Sequence, residues 1–485
     1  MSGLPRSRWD TAIVWFRRDL RVLDHPALSA AVAGARSVVP LFVIDRRLLD
    51  GMTAAPARRW FLARSLVELD RALRSRGSGL LLRSGAPEMV VPEMARAVGA
   101  AVVLASRDVT PFSHRRDAAV AAALEGDGRR LLLQPGLLLV EPETMLTTAG
   151  SPYAVFTPFW RSLQQASRRG LVPAPTRIET PPHVLDASTV SIDQLAPDVP
   201  PQVALPAPGE VAAQDRLYAW VAGGLAGYGT ARDRLDGQAT SHLSTDLHFG
   251  ALSPLLVERA ALEIGEPSTP FVRQLAWREF YHHLLFHRRA AEPLTGSHLM
   301  AIFRDEAADP AAVAAWRDGR TGFPAVDAGM RQLAATSWLG NRARLIVASF
   351  LTRQLLMDYR IGERHFLRHL VDGDIANNLG GWQWSAGVGS DPQPAYRIFN
   401  PVLQGRRFDP EGAWVRRWVP ELARVPARYV HAPWEMPEHE AGDAGVRLGE
   451  TYPRPVVDLA TARERALAAF RSARRDSSRM EPRKT

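Results

Sequence analysis

Residues 12–16 read Ala-Ile-Val-Trp-Phe, and the next five, Arg17-Arg18-Asp19-Leu20-Arg21, turn abruptly polar. An apolar run this short, bounded this sharply, is too brief for a helix and suits a strand covered on both faces. Similar runs recur at 38–44 (Val-Val-Pro-Leu-Phe-Val-Ile), 79–82 (Gly-Leu-Leu-Leu) and 101–105 (Ala-Val-Val-Leu-Ala). Between them lie helical patterns, for example Leu62, Leu66, Leu69 and Leu73 on one helix face. Strands alternating with helices predict a parallel, Rossmann-like α/β domain, which we place at 9–140.

Outward from that domain the texture changes. Prolines from Pro173 to Pro208 punctuate 168–215 and forbid long helices or central strands there. We read 141–215 as an interdomain linker. From 216 to 470 the pattern is helical, with examples at 271–287, 325–335, 341–357 and 362–371, and no strand run intervenes. This half is expected to be an all-α domain. The end, 471–485, is basic, rich in Arg and Ser, and expected to be frayed.

Composition narrows the function classes. The 485 residues contain no cysteine, which excludes disulfides, thiolate catalysis and Cys-ligated metal. No apolar run reaches bilayer length, and Met1–Asp10 lacks the apolar core of a secretory signal. A cytoplasmic protein is therefore expected, with no metal centre and no membrane partner. The net charge of +9 comes almost wholly from arginine, a residue whose planar fork suits phosphate.

The stretch richest in chemistry is Asp372-Gly373-Asp374-Ile375-Ala376-Asn377-Asn378-Leu379-Gly380-Gly381-Trp382-Gln383-Trp384. Acids, an amide pair and two tryptophans packed so closely suggest a site that holds flat rings. The plain alternative is a capped helix end with both tryptophans in the core. Two further clusters combine aromatic and polar residues, Trp277-Arg278-Glu279-Phe280-Tyr281 and Trp338 to Arg344. Gln274, Trp277, Arg278 and Tyr281 share one side of a helix. Arg342 and Arg344 open another, where the amides favour an anion. Tyr228 to Arg232, followed by Thr240-Ser241-His242-Leu243-Ser244, offers small hydroxyls to phosphate, although taken alone this last cluster is better explained by an N-cap and a polar loop.

Two long ordered stretches carry a family resemblance. They are Ile13-Val14-Trp15-Phe16-Arg17-Arg18-Asp19-Leu20-Arg21 and Trp316-Arg317-Asp318-Gly319-Arg320-Thr321-Gly322-Phe323-Pro324-Ala325-Val326-Asp327-Ala328-Gly329-Met330-Arg331. With them, the chain resembles the photolyase/cryptochrome family over almost its whole length. The resemblance implies FAD in the helical domain. It implies that Tyr228, Thr240, Ser241, His242, Leu243 and Ser244 meet the phosphates. Asn341, Arg344, Asp372, Gly373 and Asp374 would line ribose and flavin, with Asn378 facing flavin N5. Plant cryptochromes carry Asp at that last position; Asn suits the fully reduced flavin of a repair enzyme. The His pair of animal cryptochromes and (6-4) photolyases is replaced by Gly340-Asn341, and the iron–sulfur branch would need cysteines. What remains is similar to a class I cyclobutane pyrimidine dimer photolyase.

On that resemblance the partner is UV-damaged DNA and the protein a monomer. Trp277 and Trp384 would stack on a flipped-out dimer. Arg232, Arg278, Arg342 and Arg397 would hold the DNA. Gln274 stands where most class I enzymes have Glu. Trp382 matches the inner step of the family's photoreduction chain, but Tyr359 stands at the middle step and Glu306 at the outer one. Trp316 and Trp338 are candidate substitutes. Leu345 replaces a Met found in many relatives, a small change. Arg58 and Asp108 resemble antenna-binding positions, for a deazaflavin (8-HDF) or flavin rather than a folate. The rival readings are a cryptochrome-type blue-light receptor without repair activity, and a flavoprotein that binds single strands without photochemistry.

Overall fold

The computed structural model describes residues 8–49, 55–181, 184, 192–195, 205–236, 239–288, 297–391, 394 and 397–480. By compactness the chain forms two units. The first holds Met1–Pro200, Leu205–Ala226 and Ser241–Ala290; the second holds Pro201–Ala204, Gly227–Thr240 and Ala291–Thr485.

The first unit is built on five strands: β1 (Trp9–Phe16), β2 (Ala35–Ile44), β3 (Leu81–Ser84), β4 (Val102–Ser106) and β5 (Arg130–Gln134). They are parallel and ordered β3-β2-β1-β4-β5. Ala12 to Phe16 are all buried, as the unbroken apolar run requires of a strand covered on both faces. Pro40 is tolerated within β2 because pairing with β3 begins only at Leu41. The Leu62–Leu73 pattern lies on the Pro56–Arg74 helix, which buries Leu66, Leu69 and Leu73. The strand order reverses between β1 and β4, so a crevice opens at the carboxyl ends of those two strands.

The stretch expected to be a connector carries two helices, Phe156–Gln165 and Glu210–Gly223. The first docks Phe156, Phe159 and Leu163 into the core, so Pro158 sits in its opening turn, where a missing N–H is harmless. The Thr269–His287 helix also belongs to this unit. It grips the backbone of residues 137–142: Arg278 donates to the Leu137 carbonyl at 3.2 Å, Glu279 accepts from Leu139 N–H at 2.8 Å, and His283 meets the Val140 carbonyl at 3.1 Å.

The second unit is helical, with only isolated bridges such as Arg304↔Met357 among the described residues. Its core gathers Trp316, Phe323, Phe350, Trp382 and Trp414. The expected helix 341–357 is interrupted: Asn341–Ser349 is α-helical, and Phe350–Gln354 is a π-helical turn. That turn sends consecutive side chains to separate anchors, Arg353 Nε to the Ser385 carbonyl at 3.1 Å and Gln354 to the Phe399 carbonyl at 2.5 Å. Of the end expected to be frayed, 471–480 lie on the helix Leu459–Met480, and 481–485 lie outside the described residues. Phe470 on that helix lies over the Arg353 guanidinium at 4.3 Å and gives it a packed partner. Among the described residues no helix is long and apolar enough to cross a membrane, and no group of side chains could hold a metal ion.

Candidate functional site

In the second unit the 372–384 stretch folds as a capped helix, Ile375–Ala386. Asp374 is its N-cap, accepting from Asn377 N–H at 2.9 Å and from the Asn377 amide at 2.7 Å. The two tryptophans part company. Trp382 is buried among core rings, whereas Trp384 keeps part of its ring exposed. The core explanation therefore holds for Trp382 and leaves Trp384 available to a ligand.

Asp372, almost fully buried, pairs with Arg344 through two contacts of 2.8 and 3.0 Å. Arg344 also donates from Nε to the Leu339 carbonyl at 2.7 Å, which fixes its fork. Asn378 donates its amide N–H to the Glu363 carbonyl at 3.0 Å. A backbone carbonyl only accepts, so the amide must turn its nitrogen there and keep its oxygen for another group. Gly373 is buried between the two acids, and Asn341 is exposed at the start of its helix. Tyr228 and Arg232 lie together, the guanidinium 6.0 Å from the ring centroid. Burial raises the Tyr228 hydroxyl above its usual range, so it stays a proton donor. Arg342 is heavily engaged: it pairs with Asp233 at 2.8 Å, meets Gln404 at 3.3 Å and lies 4.5 Å from the Phe408 centroid. Its first task is to tie this segment to the Pro401–Phe408 helix. Arg397 is exposed and Thr240 half-buried.

The aromatic surroundings of Trp382 differ from the expected chain. Its described ring contacts are Trp316, centroids 6.0 Å apart, and Phe366 at 4.9 Å. Trp316 donates its indole N–H to the Val347 carbonyl at 3.0 Å and lies edge-on to His365 at 5.4 Å. Burial, with His369, Arg317 and Arg368 nearby, lowers the His365 imidazole to about 3, so it is neutral. The Tyr359 phenol oxygen accepts from the Gln383 amide at 3.1 Å. Glu306, at the outer position, is held by Arg317 at 2.5 and 2.8 Å.

In the first unit, Gln274, Trp277 and Arg278 lie on the Thr269–His287 helix, all half-buried. Trp277 stacks on Phe156, centroids 3.7 Å apart and planes 5° from parallel. Ser241, His242, Leu243 and Ser244 lead into the Ser244–Phe249 helix, with His242 at φ +54°. Asp108 lines a small crevice at the β1/β4 ends with Arg18, Arg278 and His282. Burial alone would raise its carboxyl, but Arg18, Arg116 and Arg17 outweigh that and hold it at about 2. Arg58, on the first turn of the Pro56–Arg74 helix, does not line this crevice. Sequence reading missed Phe156, Arg18 and His282. Arg18 stands in the quoted opening stretch, but only the sheet order reveals that it faces a crevice.

Comparison with known proteins gives the frame for these parts. Residues 12–181 match the family described as DNA photolyase, and 271–472 that described as FAD binding domain of DNA photolyase. The chain is 40% identical to a deoxyribodipyrimidine photo-lyase of Agrobacterium fabrum, over 94% of this chain and 97% of that one. It is 41% identical to one of Streptomyces griseus, over 94% and 98%.

The chain belongs to the DNA photolyase family.

A solved structure of a bacterial class III photolyase from Agrobacterium tumefaciens superposes with a TM-score of 0.90 at 38% identity, covering 98% of this chain and 99% of that one. The photolyase parts fit a flavin on this chain's own chemistry. The Arg344–Asp372 pair offers complementary charges, Asp374 is fixed as a cap, and the free Asn378 oxygen can accept from a ring N–H.

Proposed function

We propose how the residues of this photolyase share its task, the light-driven repair of cyclobutane pyrimidine dimers in DNA. Asn378 carries the proposal. Its oriented amide oxygen can accept from N5–H of a reduced flavin, and it holds no acidic proton that would protonate the ring. Arg344 and Asp372 hold charge beside the ring, and Asp374 and Asn341 take the ribose. Tyr228 and the Thr240–Ser244 run meet the phosphates. Bound, reduced FAD supplies, under blue light, the electron that opens the dimer.

A dimer inside the duplex must leave the stack before it can react, so the enzyme takes it flipped out of the helix. Trp277 and Trp384, both half-buried, are the rings assigned to stack on it. Gln274, one turn before Trp277, donates an N–H to a dimer carbonyl without the acid found in most class I relatives. Arg232, Arg278, Arg342 and Arg397 supply salt-dependent affinity for the backbone with little sequence preference. Asp108 and Arg58 are proposed for an antenna, a deazaflavin or flavin; the crevice at the strand order's reversal supports Asp108. Trp382 passes electrons inward to the flavin, with Trp316 as its neighbour and Tyr359 at the family's middle position.

We keep class I as a proposal resting on Asn378, Gly340-Asn341 and the missing cysteines, beside the structural likeness to a class III photolyase. The monomeric state and the cytoplasmic location are proposals of the same kind. Light-dependent loss of dimers from DNA separates this function from a light-sensing cryptochrome, which would leave them intact.

A further inference from the structure

The fold covers one face of the Trp277 indole with a second ring. Phe156 lies flat against it, centroids 3.7 Å apart and planes 5° from parallel. Phe156 is 1% exposed, whereas Trp277 is only half-buried. The edges of the indole are fixed too: Phe280 meets it at 5.7 Å and 82°, and Tyr281 at 5.5 Å and 37°. Phe156 is itself held edge-on by Phe280 at 5.8 Å, and its helix is anchored by Phe159 against Phe280 and His283. The indole plane is thus set before any ligand arrives. A ring held rigidly and left partly exposed binds a second ring without first losing its own rotational freedom.

We propose that Phe156 is a positioning residue for substrate recognition, a backing plate that fixes the plane of Trp277 for a flipped pyrimidine dimer. This rests on the reading of Trp277 as a stacking wall. A phenyl ring buried only for packing would be replaceable by an aliphatic side chain at a cost in stability alone. A backing plate would not be, because an aliphatic group cannot hold an indole parallel over its whole area.

The test uses the full-length, flavin-loaded chain and an oligonucleotide carrying one thymine cyclobutane dimer, with the undamaged oligonucleotide as control. Phe156→Leu is expected to weaken binding of the damaged strand by roughly three- to tenfold, as loss of an aromatic pair would. The loss falls on KM and not on the repair rate at saturating DNA, and undamaged DNA binds as before. Phe156→Tyr, which keeps the ring, restores affinity. In a Trp277→Ala background, Phe156→Leu adds nothing, since the ring it positions is gone. Should Phe156→Leu fold poorly, Phe156→Met gives the same comparison with an unbranched chain. Overturning results are unchanged affinity in the aliphatic variants, or losses that add to those of Trp277→Ala. If Trp277→Ala alone leaves damaged-DNA affinity unchanged, the underlying reading of Trp277 fails first, which is a separate and recognisable outcome.

Discussion

The indole rings of Trp382 and Trp316 meet nearly at right angles, with centroids 6.0 Å apart. Both are buried, and the Trp316 N–H is anchored on the Val347 carbonyl. At the family's middle position, the Tyr359 phenol is bonded to the Gln383 amide, which contains no basic atom to take a phenolic proton. Electron supply should therefore run through Trp316. Trp316→Phe is expected to slow photoreduction of the oxidised flavin severely, whereas Tyr359→Phe leaves it nearly unchanged. Transient absorption after a blue flash measures both.

Gly362 packs directly beneath Trp382: a Cβ there would fall 2.0 Å from the indole. Glycine to alanine inside a helix ordinarily stabilises by about 1 kcal/mol. Here overpacking reverses the sign, and Gly362→Ala is expected to cost about 1–3 kcal/mol. A lowered Tm together with slower photoreduction would show that the indole has been displaced.

Asp372 is nearly inaccessible and faces Arg344 through two short contacts. Asp372→Asn strands a guanidinium against a neutral partner, at a cost of about 2–5 kcal/mol. The variant should purify with less flavin per chain and a lower Tm. The ratio of flavin to protein absorbance checks the first, and thermal unfolding the second.

Glu279 gives a pH dependence. Burial raises its carboxyl from 4.5 to about 7, against the opposing pull of Arg278 and the Leu139 N–H. Between those two values the folded chain holds a proton that the unfolded chain has released. Stability from this group is therefore fully present below pH 4.5 and falls as pH rises toward 7, by on the order of 3 kcal/mol. Thermal unfolding across that window should flatten in Glu279→Gln, which cannot titrate.

How much of this was legible in the sequence follows from what each signal reports. Residues 12–16 revealed β1 because a strand buried on both faces must be apolar throughout. β5, Arg130–Gln134, was missed because its three leucines are only half-buried and are bounded at once by Arg130 and Gln134, so the short run does not stand out from a polar surface segment. The helix 341–357 read as continuous because apolar periodicity does not register the extra residue of a π turn. The helix Phe156–Gln165 was hidden in a stretch taken for linker, and with it the stack on Trp277. That contact joins residues far apart in sequence, which no local pattern can report. Asp372, Arg344 and Asn378 were legible through motif resemblance; that Asn378 must offer its oxygen needed the Glu363 carbonyl.

The most direct measurement is repair of a thymine cyclobutane dimer by purified, flavin-loaded and chemically reduced protein, under blue light against a dark control. Restoration of thymine in the light alone is the expected result, and it would show that Gln274 supports repair. Intact dimers after illumination, with reduced FAD bound, would contradict the assignment of repair and favour a light-sensing role.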